Sequence, residues 1–298
     1  MITFNAINHT YPGEAEQALT DLSLEFGDST VTALVGPNGS GKTTLMQILS
    51  GLLPSSSGGV SINGTGMRPN DLLGYSVMAS SDRDFDNSSA GAIVAYASLR
   101  PTWDQKLFDH YVQRFGFQMK RRKKVRKMSS GQAAILTGAV ALASGAPITV
   151  LDEIQASLDV PTRYAFYEEL LTLAADAMEG RRPRRTFLIS SHMVSELENV
   201  AEDVVALKNG RLLAHERVET FTSRICAIAG NATDVESFLV NHPGLGVITS
   251  RTLGSAREIV VDLRGRGITD REIASHSLTL SPCTFQDAFA YLIQENNQ

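Results

Sequence analysis

Residues 36–44 read GPNGSGKTT, set between the apolar run TVTALV at Thr30–Val35 and a helical pattern over Thr43–Leu49. The match to G-x-x-x-x-G-K-T is complete, and each fixed position has a physical reason. Glycines let backbone N–H groups turn inward toward phosphate oxygens, Lys42 carries charge to the β- and γ-phosphates, and the Thr43 hydroxyl is suited to ligate Mg²⁺. The N-terminus of the following helix adds the positive end of its dipole. A strand, a glycine-rich loop and a helix in this order predict a nucleotide site in an α/β fold.

The same alternation extends outward from the loop. Strand-like runs are read at Ile2–Asn5, Leu22–Phe26, Thr30–Val35, Val60–Ile62, Leu73–Met78, Ile148–Leu151, Thr186–Ile189 and Val204–Leu207. Helical spacing is read at Trp103–Phe115, Ser130–Leu142, Pro161–Ala175 and Met193–Ala201, with Pro161 suited to a first helical turn. Such alternation predicts a core of parallel strands covered by helices. After a hairpin turn at Lys208-Asn209-Gly210-Arg211 the pattern changes, and a boundary is placed near residue 216. The tail from about Arg217 reads as a small α+β appendage, with a helix at Thr233–Val240, a strand at Glu258–Leu263 and a closing helix at Thr284–Gln294.

The second informative stretch is LDEIQASLD, residues 151–159. Asp152 and Glu153 emerge at the carboxyl end of an apolar strand, where open α/β sheets place their ligands. Beside a phosphate loop, Asp152 is the expected partner orienting Mg²⁺. Glu153, one residue farther on, is then placed to polarise the attacking water as general base.

Composition narrows the class. The 298 residues are long enough for one large or two modest domains, and 43% hydrophobic with 20% charged residues is ordinary for a globular protein. A net charge of -5 argues against a broadly basic nucleic-acid binder, so no nucleic-acid partner is expected. The two cysteines, Cys226 and Cys283, lack C-x-x-C spacing and suggest neither zinc nor a disulfide framework. The start MITFNAINHTYPGEAEQ has no secretory pattern, which leads us to expect a cytoplasmic protein. Ala133–Leu151 is free of charge and approaches the roughly 20 residues of a membrane helix. Gly145-Ala146-Pro147 interrupts it, however, so it reads as a buried helix, a turn and a strand.

Downstream stands MSSGQ at Met128–Gln132, then SLD at Ser157–Asp159 and LISSH ending on His192. With GPNGSGKTT and LDE, these five motifs in order resemble the ATP-binding subunit of an ABC transporter over about residues 1–216. The resemblance implies a P-loop NTPase cassette of the ABC type (helical subdomain about 79–146), with 217–298 as an accessory or regulatory C-terminal α+β extension. It implies that Tyr11 stacks on adenine, and that Gly36, Asn38, Gly39, Ser40, Gly41, Lys42, Thr43 and Thr44 hold the phosphates. Thr43 and Asp152 would hold Mg²⁺, Glu153 and Lys42 would serve catalysis, and His192 would sense the γ-phosphate. Ser129, Gly131, Gln132 and Asp159 would reach ATP bound by a second ATPase subunit, the same or a homologous chain, in a head-to-tail dimer. The segment Arg100–Phe117 and the ending TFQDAFAYLI resemble exporters of the antibiotic, lantibiotic and multidrug type. The implied function is ATP hydrolysis that powers a separately encoded polytopic membrane subunit, with the protein peripheral on the inner face of the cell membrane. Its implied cargo is a lipophilic or peptide compound, moved outward. The alternatives are a nucleotide-binding regulatory protein with little turnover and a soluble non-transport ATPase.

Three departures from the family pattern stand out. Ile154-Gln155 replaces Pro-Thr, and Ser157 replaces Gly before Leu-Asp. In MSSGQ, which stands where the family has its signature, Ser130 replaces the first Gly of a pair. A Gln usual after Gly-Tyr is missing: the nearest register puts Met78 there, a poor ligand for Mg²⁺, with Ser80, Ser81 or Asp82 as substitutes if the loop is shifted. Trp103-Asp104 reads either as part of the exporter match or as a plain helix cap and staple. The basic runs KRRKKVRK at Lys120–Lys127 and RRPRR at Arg181–Arg185 read as solvated faces or as sites for RNA or anionic lipid.

Overall fold

A computed structural model of the chain describes residues 1–80, 87–264 and 268–295. The chain divides into two compact units, one of residues 1–193 and 199–215, the other of residues 194–198 and 216–298. The first holds the strands Ile2–His9 (β1), Leu19–Phe26 (β2), Val31–Val35 (β3), Ser57–Ile62 (β4), Thr65–Met67 (β5), Ser76–Ser80 (β6), Ile148–Asp152 (β7), Thr186–Ser190 (β8), Asp203–Lys208 (β9) and the start of Arg211–Arg217 (β10). Its helices are Lys42–Leu49 (α1), Pro69–Tyr75 (α2), Ala90–Ala97 (α3), Gln105–Arg114 (α4), Ser130–Ala143 (α5) and Val160–Met178 (α6).

Two sheets form this unit. One is antiparallel, in the order β2-β1-β4-β5. The other runs β10-β9-β3-β8-β7-β6, with parallel pairing of β9 to β3, β3 to β8, β8 to β7 and β7 to β6. Every residue of β3, β7 and β8 is buried, as expected for strands covered on both faces. Leu45, Met46, Ile48 and Leu49 of α1 join one cluster with Phe4, Ile7 and Leu22 of the antiparallel sheet and with Leu34, Val150 and Leu188 of the parallel one. The helix that opens on the phosphate loop is therefore gripped from both sides. The ends of β3, β6, β7 and β8 lie at one edge of the sheet, where the site is built.

Several readings change in detail. Leu73–Tyr75 is the end of α2, not strand, and pairing begins only at Ser76. A short apolar run cannot distinguish the two by period. Here Pro69 at the first turn and Asp71 bonded back to Arg68 start a helix. Met193–Ala201 holds a single helical turn, Val194–Leu197 (α7). Trp103 precedes its helix: Asp104 caps α4 through the Leu107 amide at 3.0 Å, and the indole packs on Phe108 with ring centroids 5.4 Å apart, a cap with its hydrophobic staple. The uncharged stretch breaks between α5 and β7, and no helix among the described residues is long and apolar enough to cross a membrane.

The second unit contains α7, then Val218–Arg224 (α8), Ile225–Asn231 (β11), Ala232–Asn241 (α9), Gly246–Leu253 (β12), Ala256–Asp262 (β13), Asp270–Ser275 (α10), Thr279–Pro282 (β14) and Phe285–Glu295 (α11). Its antiparallel sheet has the order β12-β13-β11-β14, so β11 to β14 form a βαββαβ unit of the split-βαβ kind. Val235 and Phe238 of α9 and Ile273 of α10 pack with Ile228, Ile259 and Val261 of the sheet to make its core.

The RRPRR run is not a free cationic face. Arg181 pairs with Asp176 and Glu179, Arg182 with Asp104 and Asp176, and Arg184 with Asp28. Arg185 is 5% exposed and donates to the carbonyls of Ala141, Leu142 and Ala146 and to the Thr149 hydroxyl, at 2.8–3.2 Å. It thereby satisfies carbonyls at the end of α5, with its guanidinium over the Phe187 ring at 5.0 Å, and burial pulls its pKa down to about 10. Replacement of Arg185 by Met leaves these buried acceptors unpaired, so it is expected to cost about 3 kcal/mol of stability. Urea unfolding checks this, and a loss under about 1 kcal/mol would mean that the carbonyls find other partners.

Met78 is not the cleft residue suggested by the nearest register. It pairs with Val150 in the middle of β6 and packs against the core around α1, whereas Ser80, paired with Asp152, ends the strand at the cleft. Ser81 and Asp82 lie outside the described residues. Met78→Gln puts an amide against apolar side chains and is expected to lower stability by about 1 kcal/mol while nucleotide affinity stays within about twofold. Thermal melting and titration with a fluorescent ATP analogue test this pair of outcomes, and unchanged melting with altered affinity would refute the core assignment.

Candidate functional site

The phosphate loop takes its form from local backbone demands. Gly41, the residue before α1, has φ 99°, and a Cβ there would stand 2.5 Å from the Ala18 carbonyl oxygen. At Gly36 a Cβ would come within 2.4 Å of Ser40 Oγ, so a side chain closes the loop at either place. With Gly41 at its N-cap, α1 has no side-chain cap. Its first N–H groups are left for an anion. The buried Ser40 hydroxyl also has no hydrogen-bond partner among the described residues.

The loop opens onto a cleft of about 440 Å³ lined by Asn38 to Thr44 and by Tyr11, Ser80, Asp152, Glu153 and His192. The reactive groups are paired with one another across it. Lys42 Nζ donates to the carbonyls of Gly36 at 2.7 Å and Pro37 at 3.1 Å. Burial holds its ammonium below the ordinary lysine range, while the charges of Glu153 and Asp152 act in the opposite sense. Thr43 Oγ1 donates to Asp152 Oδ2 at 3.0 Å, and the Tyr11 hydroxyl lies 3.0 Å from Thr44 Oγ1. Tyr11 also meets the buried His9 ring edge to face, with centroids 4.8 Å apart.

Asp152 and Glu153 are set from the neighbouring strand. Asp152 Oδ1 accepts from Ser190 Oγ at 2.5 Å, and the same hydroxyl accepts from the Glu153 amide at 3.1 Å. Glu153 has φ 57°, a left-handed conformation that turns the chain sharply out of β7. Its carboxylate accepts from the His192 amide at 3.2 Å, and His192 Nε2 stands 3.3 Å from the other oxygen. Two carboxylates, an ammonium, the hydroxyls of Thr43 and Ser190 and an imidazole thus converge at the sheet edge. This set can bind a polyphosphate with a hard divalent cation and can take a proton from water.

Other expected site residues lie elsewhere. Ser129, Gly131, Gln132 and Asp159 do not line this cleft. Ser129 caps α5 by accepting from the Gln132 amide at 3.2 Å, and Gln132 Oε1 accepts from the Ser129 amide and from Lys123 Nζ, which makes MSSGQ a capping box. Asp159 caps α6 through the Thr162 amide, and hydrogen bonding from the Thr162 side chain together with that amide holds its carboxyl below the usual range. Glu14, Glu16 and Gln17 line the cleft beside Tyr11 and carried no recognisable motif. Ser190 escaped sequence reasoning as well, although its hydroxyl two residues before His192 was the available signal.

Residues 19–156 match the ABC transporter family. Among known proteins the chain is 30% identical over 229 residues to the phospholipid-transporting ATPase ABCA7 of Homo sapiens, covering 71% of this chain and 10% of that protein. It is also 30% identical over 232 residues to an ATP-dependent lipid A-core flippase of Xylella fastidiosa, covering 72% of this chain and 37% of the flippase. The chain therefore spans a minor part of these relatives. Of the solved structures, an ATP-binding subunit of an ABC transporter superposes with a TM-score of 0.64 at 19% identity, over 74% of this chain and 91% of that one. A bacterial Atm1-family ABC exporter with ATP bound gives 0.62 at 21% identity, over 73% of this chain and 38% of the exporter. These likenesses agree with the loop, the acidic strand end and the sheet order: this chain carries an ATP-binding cassette of the ABC transporter family.

Proposed function

We propose that the chain binds ATP with Mg²⁺ and hydrolyses it to drive export of a lipophilic or peptide compound through a separately encoded polytopic membrane subunit. The observation that carries this reading is the convergence of Lys42, the Thr43–Asp152 pair and the Glu153–His192 pair on one cleft. The names of the relatives, a phospholipid-transporting ATPase and a lipid A-core flippase, support the cargo class.

The residues fit a magnesium nucleotide. Thr43 Oγ1 and Asp152 Oδ2 offer hard oxygen donors 3.0 Å apart and would hold the ion. Bound there, Mg²⁺ would neutralise phosphate charge and help to align the β- and γ-oxygens. Loop amides and the uncapped start of α1 receive the phosphates, and Lys42 exchanges two backbone carbonyls for phosphate oxygens. Tyr11 offers its ring to adenine. Glu153 accepts a proton from the attacking water, and the His192 amide and ring keep its carboxylate in place.

In this reading Ser129, Gly131, Gln132 and Asp159 act on ATP held by a second ATPase subunit, head to tail. Their exposed caps, away from this chain's own cleft, support that assignment. The assembly would lie at the inner face of the cell membrane.

Glu153→Gln is expected to retain ATP binding, lower steady-state hydrolysis by about 10²-fold or more and accumulate an ATP-bound dimer. Lys42→Ala is expected to weaken ATP binding itself by about tenfold or more, the order of a lost charge-assisted hydrogen bond. Phosphate release and size-exclusion chromatography with ATP measure these effects. Turnover by Glu153→Gln at the wild-type rate would remove the general base from the proposal.

A further inference from the structure

Gln155 departs from the family pattern, and its environment is unusual. It lies in the 3-10 turn Ile154–Ser157 with 0% exposure, directly beyond the Asp152-Glu153 pair. Its Nε2 donates to the Ser190 carbonyl at 2.5 Å. That acceptor is a backbone oxygen, so the amide orientation follows from the bond itself. Its Oε1 is buried without a hydrogen-bond partner among the described residues.

Ser190 is the residue through which the site is assembled. Its hydroxyl donates to Asp152 and accepts from the Glu153 amide, and two residues later the His192 amide donates to the Glu153 carboxylate. The left-handed turn at Glu153 makes its carboxylate direction sensitive to where the end of β8 lies. Gln155 holds the same end through the Ser190 backbone carbonyl. From the turn after Glu153 it reaches back to the peptide that carries Ser190 toward His192.

We infer that Gln155 is a positioning residue for hydrolysis, which acts through Ser190 to hold Glu153 and His192 in register. The inference rests on the hydrolytic reading above. An apolar residue of similar shape would fill the same space in the turn but would release the carbonyl of Ser190, whose hydroxyl holds Asp152 and the Glu153 amide. The amide is placed where its one bond serves the catalytic end of β8.

The test is a double-mutant cycle on the full chain with Gln155→Met, Ser190→Ala and the pair. Gln155→Met is expected to keep the melting temperature and the KM for ATP near wild type, with kcat lowered about tenfold. Ser190→Ala is expected to lower kcat at least as much. If Gln155 acts through Ser190, the double variant falls no further than Ser190→Ala, whereas independent roles multiply the two losses. Gln155→Asn keeps the amide but is one methylene too short to reach the carbonyl, so it is expected to lose activity like Met and serves if Met fails to fold. Unchanged kcat in a folded Gln155→Met or Gln155→Asn protein, or multiplicative losses, would overturn the inference. No hydrolysis by the wild-type chain with its partners would instead overturn the hydrolytic reading.

Discussion

Asp152 sits between two hydroxyls that come from distant parts of the chain. Thr43 approaches one carboxylate oxygen at 3.0 Å and Ser190 the other at 2.5 Å. Such a bridge requires β3, β8 and β7 to be consecutive in a parallel sheet, and it requires α1 to leave β3 through a loop tight enough to bring Thr43 back over the strand ends. The burial of all three strands and the clamp of apolar residues on both sides of α1 meet these conditions. Once Asp152 is fixed, the position of Glu153 follows from one left-handed residue and two bonds to the end of β8.

Most polar groups of the site have partners within it, the buried Ser40 hydroxyl being an exception among the described residues. Lys42 is bonded to loop carbonyls, Thr43 to Asp152, the His192 amide to Glu153 and Tyr11 to Thr44. Burying an ammonium and two carboxylates close together is unfavourable unless each is paired, and these contacts supply the pairing. Every one of them involves a group that a magnesium nucleotide would engage. ATP binding as proposed is therefore an exchange of partners within a preformed cleft, with little rearrangement of the sheet edge required. The signature and Asp159 are the exception, because they serve as helix caps in their own chain. Completing the site in the proposed reading calls for a second cassette.

The second unit has a different physical basis. Its antiparallel βαββαβ sheet packs two helices over Ile228, Ile259 and Val261, and it carries its own buried ion network, in which Arg224 meets Glu216 and Asp262 at 3.0 Å. It has a core of its own, and it takes in the short helix α7 from the middle of the chain as well as the residues from 216 onward.

Local chemistry made much of this protein legible from the sequence. Glycines at 36, 39 and 41 with Lys42 and Thr43 specify a loop whose conformation depends on near neighbours, and a carboxylate pair after a β-branched strand marks a sheet edge. Cap and turn signals such as Asp104, Asp159 and Asn209-Gly210 are local for the same reason, and the last two residues adopt the positive φ that a two-residue hairpin needs. What the sequence left open depends on pairing between distant strands. Whether Met78 or Ser80 faces the cleft is a question of register, and the register is set by the partner strand: β6 lies against β7 so that Ser80 meets Asp152 and Met78 meets Val150. The same holds for Ser190 and Gln155, ordinary residues in sequence, which acquire roles only because β8 lies beside β7 and places a hydroxyl and a carbonyl within reach of the acidic turn. Side-chain chemistry named the site, and the non-local order of the parallel strands decided which residues assemble it.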